Sequence, residues 1–234
     1  MISVVIPTYN EEKNIEKALM QFENQTIGRE NFELIVVDGD SKDKTREIAE
    51  KYADKVIIQK SDGVGGARND GVEIAKNEFI ATTDADTIIP NDWLENFVQN
   101  FKDENVIAVC GADGPIETNI KARSIFFVIR NFIKFSSYFG LYCLGGTNSA
   151  FRKIDFMKIG GYRDIPHSDD VDLGFRMKKI GKINYDKNIF VKFSTRRMEK
   201  NGYLKTLSTW VKGDTLLLLG KDIKTKEKYA KQEY

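Results

Sequence analysis

Residues 79–90 read FIATTDADTIIP, an apolar run that ends in two aspartates one position apart. Four similar runs, rich in Ile and Val, occur in the first half of the chain: ISVVI, ELIVV, KVIIQ and VIAVC. Each is typical of a strand buried on both faces. Helical periodicity follows Asn10 and Ser41, which we expect to act as N-caps. This alternation predicts an α/β fold with a mostly parallel central sheet and helices on both of its faces.

The composition narrows the classes of function. The 234 residues include 36 basic and 35 acidic side chains, so the net charge gives no reason to expect a nucleic-acid partner. Cys110 and Cys143 lack CxxC spacing and His167 is the single histidine, which argues against a disulfide scaffold and a zinc site. The first apolar run is too short for a signal peptide, and no segment has the roughly 20 apolar residues that cross a bilayer. We therefore expect a cytoplasmic protein.

Residues 121–144 form an aromatic-rich stretch, in which Arg123, Arg130 and Lys134 interrupt seven aromatic side chains. The pattern predicts one or two amphipathic helices. Packing on the sheet is the interpretation we favour, because such helices mostly bury their apolar stripe inside the protein. Peripheral contact with the cytoplasmic face of a membrane, or with a partner, is the alternative. The TLLLLG segment at residues 215–220 adds some weight to that alternative.

Polar or flexible residues follow four consecutive strand candidates. The segments directly after these strands are PTYNEE, DGDS, SDGVGGARN and DADT. In an open parallel sheet, ligands bind in the crevice beyond the carboxyl ends of the strands. The sequence therefore predicts a binding site at this edge of the sheet.

Asp84 and Asp86 are the first candidate metal ligands. In an extended segment, residues two positions apart project to the same side, so both carboxylates could converge on one hard cation. Mg²⁺ and Mn²⁺ favour oxygen ligands and keep positions open for phosphate. The alternative is an ordinary acidic turn that caps the next helix.

The second and third strand ends suggest contacts to a nucleotide. Asp38 could accept a hydrogen bond from a ribose hydroxyl or a base N–H, whereas turn chemistry explains Ser41 and Asp43. The glycines of SDGVGGARN allow close approach of the backbone to a ligand, and Arg68 at the start of the following helix could hold a diphosphate. The loop lacks the Gly-Lys-Ser/Thr ending of a P-loop, which argues against ATP or GTP hydrolysis.

Two later segments add polar groups: GGTNSAFRK at residues 145–153 and SDDVDLGFRMKKIG at residues 168–181. Asp169, Asp170 and Asp172 crowd the start of a predicted helix, and helix capping explains only one of them. A carboxylate held there beside a substrate hydroxyl could act as a general base.

Taken together, these segments resemble the family 2 glycosyltransferases, inverting enzymes with the GT-A (nucleotide-diphospho-sugar transferase) fold. The resemblance covers roughly residues 2–193. The motifs that carry it, in the family's order, are PTYNEE, VVDGDSKDKT, GGARNDGVEIAKNEFIATTDAD, GGTNSAFR, IGGYRD and DDVDLGFR.

The resemblance implies a role for each candidate residue. Residues implied to bind the donor nucleotide or its diphosphate are Pro7, Thr8, Tyr9, Glu11, Asp38, Arg68 and Asp84. Asp84 and Asp86 would hold Mn²⁺ or Mg²⁺ on the diphosphate. Asp170 would take the position of the catalytic base. Possible acceptor or diphosphate contacts are Asp169, Asn148, Arg196 and Arg197.

The chain departs from the family pattern in two places. The family's Glu-Asp pair is Asp169-Asp170 here, which leaves the choice of base between the two neighbours slightly open. The Gln-x-x-Arg-Trp motif of many processive members is missing from the sequence. Arg196 and Arg197 therefore either hold the diphosphate from a C-terminal segment or face solvent.

The function implied is transfer of a sugar, most simply a hexose, from a UDP- or GDP-linked donor to a hydroxyl of a glycan or lipid-linked acceptor. Such a reaction belongs to the synthesis of surface glycans, glycolipids or glycoproteins. We expect a catalytic domain at residues 1–193, with a nucleotide-binding half at 1–114 and an acceptor half at 115–193, and a C-terminal helical extension at 194–234. The oligomeric state stays open.

Two other functions compete with this one. A catalytically silent protein that binds nucleotide sugars, or a scaffold, would keep the fold and lose the acids. A sugar nucleotidyltransferase would carry a basic, Gly-rich loop after the first strand, where this chain has the acidic PTYNEE.

Overall fold

The computed structural model describes residues 1–117 and 120–220, apart from the side chains of Lys121, Arg197 and Leu204. The strands are β1 (Ile2–Thr8), β2 (Phe32–Asp38), β3 (Lys55–Ile58), β4 (Phe79–Thr82), β5 (Thr87–Ile88), β6 (Val106–Pro115), β7 (Ser149–Arg152) and β8 (Lys182–Phe193). The helices are α1 (Ile15–Met20), α2 (Thr45–Ala49), α3 (Gly63–Ile74), α4 (Trp93–Asn100), α5 (Ile120–Tyr138), α6 (Lys153–Lys158), α7 (Asp169–Lys178), α8 (Arg196–Asn201) and α9 (Tyr203–Leu218). Short 3₁₀ turns occur at Gln21–Asn24 and Arg29–Asn31.

These strands form one sheet in the order β3-β2-β1-β4-β7-β6-β8-β5. Strands β3, β2, β1 and β4 are mutually parallel, with Ile2 opposite Phe32 and Val4 opposite Leu34 in β1 and β2. Strand β7 runs antiparallel between β4 and β6, while β6 and β8 pair in parallel. The predicted α/β fold with a mostly parallel sheet is therefore confirmed.

The alternation of side chains along β1 and β2 places a core on each face of the sheet. On one face Val4 and Ile6 belong to a cluster with Trp93 and Phe97 of α4. On the other face Val5 packs in a cluster with residues of α3 and α7. Every residue of β1 and β2 is buried, because helices cover both faces. The edge strand β3 is only half-buried, which corrects the expectation that all five runs would be buried on both faces.

Asn10 and Ser41 are not N-caps, contrary to the sequence-based expectation. Helices α1 and α2 begin several residues later, after Asn14 and Lys44. Instead, Ser41 Oγ accepts a hydrogen bond from the Asn10 backbone N–H at 2.9 Å, and Asn10 Oδ1 accepts one from the Lys42 N–H at 2.8 Å. The two side chains thus join the loop after β1 to the loop after β2.

The aromatic-rich stretch forms the single helix α5 and the short segment after it. Ala122 and Phe126 pack in a small cluster with Met198 and Tyr203 of the C-terminal helices. Five of its aromatic side chains are instead 60–75% exposed: Phe127, Phe132, Phe135, Tyr138 and Phe139. The expectation that this stripe packs on the sheet is therefore wrong for most of its aromatic residues. Among the described helices, none has the length and apolarity to cross a bilayer.

Candidate active site

The predicted crevice is built from the ends of β1, β2 and β4. Pro7 and Thr8 are buried at the end of β1, where the Thr8 carbonyl accepts a hydrogen bond from the Gly39 N–H at 2.8 Å. Tyr9 follows and is half-buried. This bond holds the first two strand ends side by side.

Asp38 ends β2 as a fully buried carboxylate. It accepts hydrogen bonds from Ser41 Oγ at 2.5 Å and from the Ser41 N–H at 3.1 Å. Arg46 Nε lies 3.5 Å from Asp38 Oδ2. The structure thus places Asp38 at the predicted rim, with its oxygens already engaged by the loop that it orders.

Arg68 lies in the second turn of α3, slightly beyond the helix start at which it was expected. Its guanidinium is almost completely buried, and Nη2 lies 2.6 Å from Asp84 Oδ1. Burial disfavours the charged guanidinium, but the carboxylates of Asp84 and Asp169 raise the pKa of Arg68 above its ordinary value. Gly146 makes room for this side chain, since a Cβ there would lie 2.1 Å from Arg68 Cζ.

Asp84 and Asp86 lie in a turn between β4 and β5, not in an extended segment. The turn is closed by the Thr87 N–H, which donates to the Asp84 carbonyl at 3.2 Å. It leads into a strand, so the alternative of an acidic cap on the next helix is also wrong. Burial and the charge of Asp84 raise the pKa of Asp86 to about 7, although Arg196 opposes the shift.

Arg196, at the start of α8, reaches back to this turn. Its Nη2 lies 3.3 Å from Asp86 Oδ2 and also pairs with Glu11 Oε1. Glu11 is held in turn by its own backbone N–H, which donates to Thr45 Oγ1 at 2.7 Å. We call Glu11, Arg68, Asp84, Asp86 and Arg196 the arginine-paired cluster.

The chemistry of the two aspartates fits a hard divalent cation. Both are carboxylates, and burial together with the charge of Asp84 raises the pKa of Asp86, an effect that a bound cation would oppose. The described residues do not bring a third His, Cys, Asp or Glu into a metal-binding group with them. The remaining ligands would therefore be water and the phosphate oxygens of a bound molecule.

Asp169 and Asp170 open α7, directly after Ser168, which adopts a left-handed conformation with φ 62°. Asp170 Oδ1 accepts a hydrogen bond from the Val171 N–H at 2.9 Å, and Oδ2 accepts one from Cys143 Sγ at 3.0 Å. Burial and the neighbouring Asp170 raise the pKa of Asp169 to about 6, against the effect of Arg68.

The third acid of this motif has a different role. The Asp172 carboxylate is held by Arg176 at 2.6 Å and by Arg163 at 3.2 Å. It therefore fixes α7 to the preceding loop, so only two of the three acids contribute to the candidate site.

Two further acids, which the sequence analysis did not single out, lie near Asp170. Burial raises the pKa of Asp113 in β6 to about 6, with Arg130 of α5 opposing the shift and Asp170 adding to it. Burial also raises the pKa of Asp214 in α9 to about 6, and Asp214 bonds to Ser168. The signal for Asp113 was an acid inside the otherwise apolar strand VIAVCGADGP. We call Asp113, Asp169, Asp170 and Asp214 the Asp170 cluster.

Asn148 is buried, and three hydrogen bonds fix its side chain. Its Nδ2 donates to the carbonyls of Ala112 and Ile189 at 2.8 and 3.1 Å, and its Oδ1 accepts from Trp93 Nε1 at 2.8 Å. The structure thus gives this side chain a bridging position between β6 and β8. The Arg197 side chain lies outside the described residues.

Comparison with known proteins identifies the family of the chain. The family model described as Glycosyl transferase family 2 matches residues 3–160. The chain belongs to this family. Among curated members, it is 38% identical over 121 residues to the putative glycosyltransferase EpsH of Bacillus subtilis, a match that covers 50% of this chain. The same match covers 35% of EpsH, so the family 2 chain spans about a third of that relative.

Solved structures show the same fold. A mannosyltransferase of Pyrobaculum calidifontis, PcManGT, in complex with GDP-Man and Mn²⁺, matches 82% of this chain and 56% of its own with a TM-score of 0.68 and 25% identity. Residues 1–349 of Staphylococcus aureus TarS, in complex with UDP-GlcNAc, match 83% of this chain and 58% of their own with a TM-score of 0.68 and 22% identity. The predicted GT-A fold is therefore confirmed.

Proposed function

We propose that this family 2 chain is an inverting glycosyltransferase that moves a hexose from a nucleoside-diphosphate sugar to an acceptor hydroxyl. The observation that carries the proposal is the position of Arg68. Its guanidinium forms an ion pair with Asp84 of the arginine-paired cluster. The charge of Asp169, in the Asp170 cluster, also contributes to the raised pKa of Arg68. The buried Arg68 guanidinium thus links a cluster suited to binding a diphosphate with a cluster suited to proton transfer.

We assign the nucleotide to the crevice formed by the ends of β1 and β2. Pro7, Thr8 and Tyr9 would line it, while Asp38 would shape it through the loop that it holds. Arg68 and Arg196 would bind the diphosphate, because planar guanidinium groups match phosphate oxygens in a bidentate manner. Glu11 would position Arg196 for this contact.

Asp84 and Asp86 would hold Mn²⁺ or Mg²⁺ at the diphosphate. A divalent cation supplies Lewis-acid stabilisation of the leaving group, worth several kcal/mol of transition-state energy. PcManGT, whose complex contains GDP-Man and Mn²⁺, supports this assignment by its similarity. Asp84 and Asp86 would contribute carboxylate oxygens, and Arg196 would exchange its contact with Asp86 for one with the phosphate.

Asp170 would act as the general base. As the acceptor oxygen attacks the anomeric carbon on the face opposite the nucleotide, the bond to the diphosphate breaks and the acceptor proton passes to Asp170. Asp169 lies beside the Arg68 guanidinium, so we assign it to holding a substrate hydroxyl and leave the proton transfer to its neighbour Asp170. The Cys143 thiol would orient Asp170 through the bond to Oδ2.

The structural relatives bound to GDP-Man and UDP-GlcNAc support both guanosine and uridine donors as candidates. We propose a UDP- or GDP-linked hexose as donor and a glycan or lipid-linked alcohol as acceptor. A panel of nucleotide sugars, assayed for released nucleotide with and without Mn²⁺, identifies the donor. Calorimetry with the same compounds separates binding from turnover.

Two substitutions make this test specific. Asp84→Ala and Asp86→Ala are expected to lower the Mn²⁺-dependent affinity for the donor, because each removes a carboxylate from the cation. The matched control is Asp92→Ala, at a nearby acid that belongs to neither cluster. Donor binding without release of nucleotide by the unsubstituted protein would instead favour a silent nucleotide-sugar-binding protein.

A further inference from the structure

The outward side of α5 is an apolar surface with no cover among the described residues. We define the α5 outer face as the exposed residues Phe127, Val128, Phe132, Phe135, Tyr138 and Phe139, the last directly after the helix. Their spacing of one, three or four positions brings them to one side of the helix. Each is 60–75% exposed, well above the exposure of a core residue.

The inner side of α5 is apolar too. Ala122 and Phe126 are buried against α8 and α9, and Ile125 and Ile129 pack around them. A helix that is apolar on both sides is normally surrounded by protein or lipid. Exposed aromatic residues at this density therefore indicate an interaction surface.

The segment that carries the surface has basic side chains and no acidic ones. In a chain with 35 acidic residues, residues 118–154 contain none. Arg123 and Lys134 are exposed on α5 and border the α5 outer face along the same edge. Aromatic side chains with basic residues beside them are the composition of helices that lie in the headgroup region of anionic membranes.

We propose that the α5 outer face binds the surface of a bilayer that contains anionic phospholipid. The aromatic rings enter the boundary between headgroups and acyl chains, and Arg123 and Lys134 contact lipid phosphates. Helix α5 would then lie parallel to the membrane plane. Its 19 residues correspond to a length of about 28 Å.

Charge and apolar content argue against two other occupants of this surface, a second copy of the chain and residues 221–234. Two copies of the chain that met through this face would bring basic edges together, with no acid in residues 118–154 to pair with them. The sequence of residues 221–234, KDIKTKEKYAKQEY, has too few apolar side chains to cover six large ones. Anionic lipid satisfies both the apolar area and the charge.

The surface lies close to the Asp170 cluster. Arg130 of α5 lowers the pKa of Asp113, and its guanidinium lies 5.9 Å from the Phe127 ring centroid. Binding through the α5 outer face would therefore bring the acids near the headgroups. As a consequence that rests on the proposed function, the acceptor would be a lipid-linked alcohol presented at the membrane.

The direct test is flotation of the full chain with phosphatidylcholine vesicles, with and without phosphatidylglycerol. We expect binding to the anionic vesicles that weakens at high salt, and little binding to phosphatidylcholine alone. The triple variant Phe127→Ser, Phe132→Ser, Phe135→Ser is expected to bind on the order of 100-fold more weakly. The double variant Arg123→Gln, Lys134→Gln is expected to lose roughly tenfold or more.

The matched control substitutes exposed residues of α6, Ile154→Ser with Lys158→Gln, and is expected to bind like the unsubstituted protein. Circular dichroism melting checks that each variant folds. Equal flotation with both vesicle types, or undiminished flotation of the triple variant, overturns the proposal. If light scattering shows that the unsubstituted protein is a dimer and the triple variant a monomer, the surface is an interface with a second copy and not a membrane surface.

This test is independent of catalysis. Flotation needs no donor or acceptor, so vesicle binding without nucleotide release would leave the membrane surface standing and refute the proposed function. Nucleotide release without flotation would support the proposed function and refute the membrane surface. Release that vesicles with a lipid-linked alcohol stimulate, and that the triple variant loses, would connect the two.

Discussion

The arginine-paired cluster and the Asp170 cluster differ in the surroundings of their carboxyl groups. In the first, guanidinium groups pair with Asp84 and Glu11, and burial raises the pKa of Asp86 to about 7. In the second, burial leaves Asp113, Asp169 and Asp214 with pKa values raised to about 6. The first cluster therefore contains two arginine side chains, which we propose as the diphosphate contacts. The second contains buried acids that crowd around Asp170, the carboxylate that we propose as the base.

We expect Asp170→Asn to have the largest effect on turnover. The amide keeps the shape of the side chain but cannot accept the acceptor proton, so turnover is expected to fall by about 10²- to 10⁴-fold. Donor affinity in calorimetry is expected to stay unchanged, because the donor belongs to the other cluster. The control is Asp164→Asn at a nearby exposed acid. Near-normal turnover by Asp170→Asn would remove the base from the mechanism.

A pair of neighbouring glycines tests the link between the clusters. In Gly146→Ala the new Cβ would collide with the Arg68 guanidinium, whereas the nearest atom for Gly145→Ala is Thr147 Oγ1 at 3.8 Å. We expect Gly146→Ala to lower the free energy of unfolding by about 1–3 kcal/mol and donor affinity by about 10- to 100-fold. Urea unfolding and calorimetry measure the two effects. Equal behaviour of the two variants would contradict the role of Arg68.

Arg196→Ala addresses the arginine-paired cluster alone. The substitution removes one charge-assisted contact to the diphosphate, so donor affinity is expected to fall by about tenfold. Since Arg196 lowers the pKa of Asp86, its loss is expected to move that pKa above about 7 and to shift Mn²⁺ binding to higher pH. Calorimetric titrations over a range of pH report both. Lys200→Ala on the same helix serves as the control, and a matching shift there would argue against a specific contact.

The smallest expected effect is the pH dependence of stability that comes from the Asp170 cluster. An unfolded Asp titrates near pH 3.9, so between about pH 4 and 6 the folded protein keeps protons that the unfolded chain has lost. The contribution of Asp113 to the free energy of unfolding is therefore expected to fall as pH rises through this window.

Asp113→Asn removes this contribution, so the variant is expected to gain roughly 1–2 kcal/mol on the unsubstituted protein between about pH 4 and 7. Urea unfolding at several pH values measures the difference. If the free energy of unfolding depends on pH in the same way for both proteins, the buried Asp113 carboxyl is not the source of the pH dependence.

The sequence was sufficient for the family and for the mostly parallel sheet, because these depend on local patterns. Apolar runs fix the strands, and parallel strands end at the same edge, so Asp38 and Asp84 were both expected at that edge. Neither the pairing of Arg68 with Asp84 nor the turn that presents Asp84 and Asp86 was predicted from the sequence.

The rest depends on contacts between distant segments. Asn10 and Ser41 have the residue types of N-caps, but their side chains found backbone partners in each other's loops. Asp214 is one acid in an ordinary helix until folding brings it to Ser168. The aromatic residues of α5 have helical spacing in either case, and periodicity cannot say whether a protein core or a lipid surface receives them.

Residues 145–152 have an unusual place in this arrangement. Gly146 lies against Arg68, and two residues later Asn148 holds the carbonyl of Ala112, the neighbour of Asp113. Strand β7 then joins β4 to β6. Because these eight consecutive residues contact both clusters, we expect a substitution in this segment to change the proposed donor and acceptor contacts together. Under the proposed function, separate changes to the two contacts are better made in the loops after β1 and β2 or in α9.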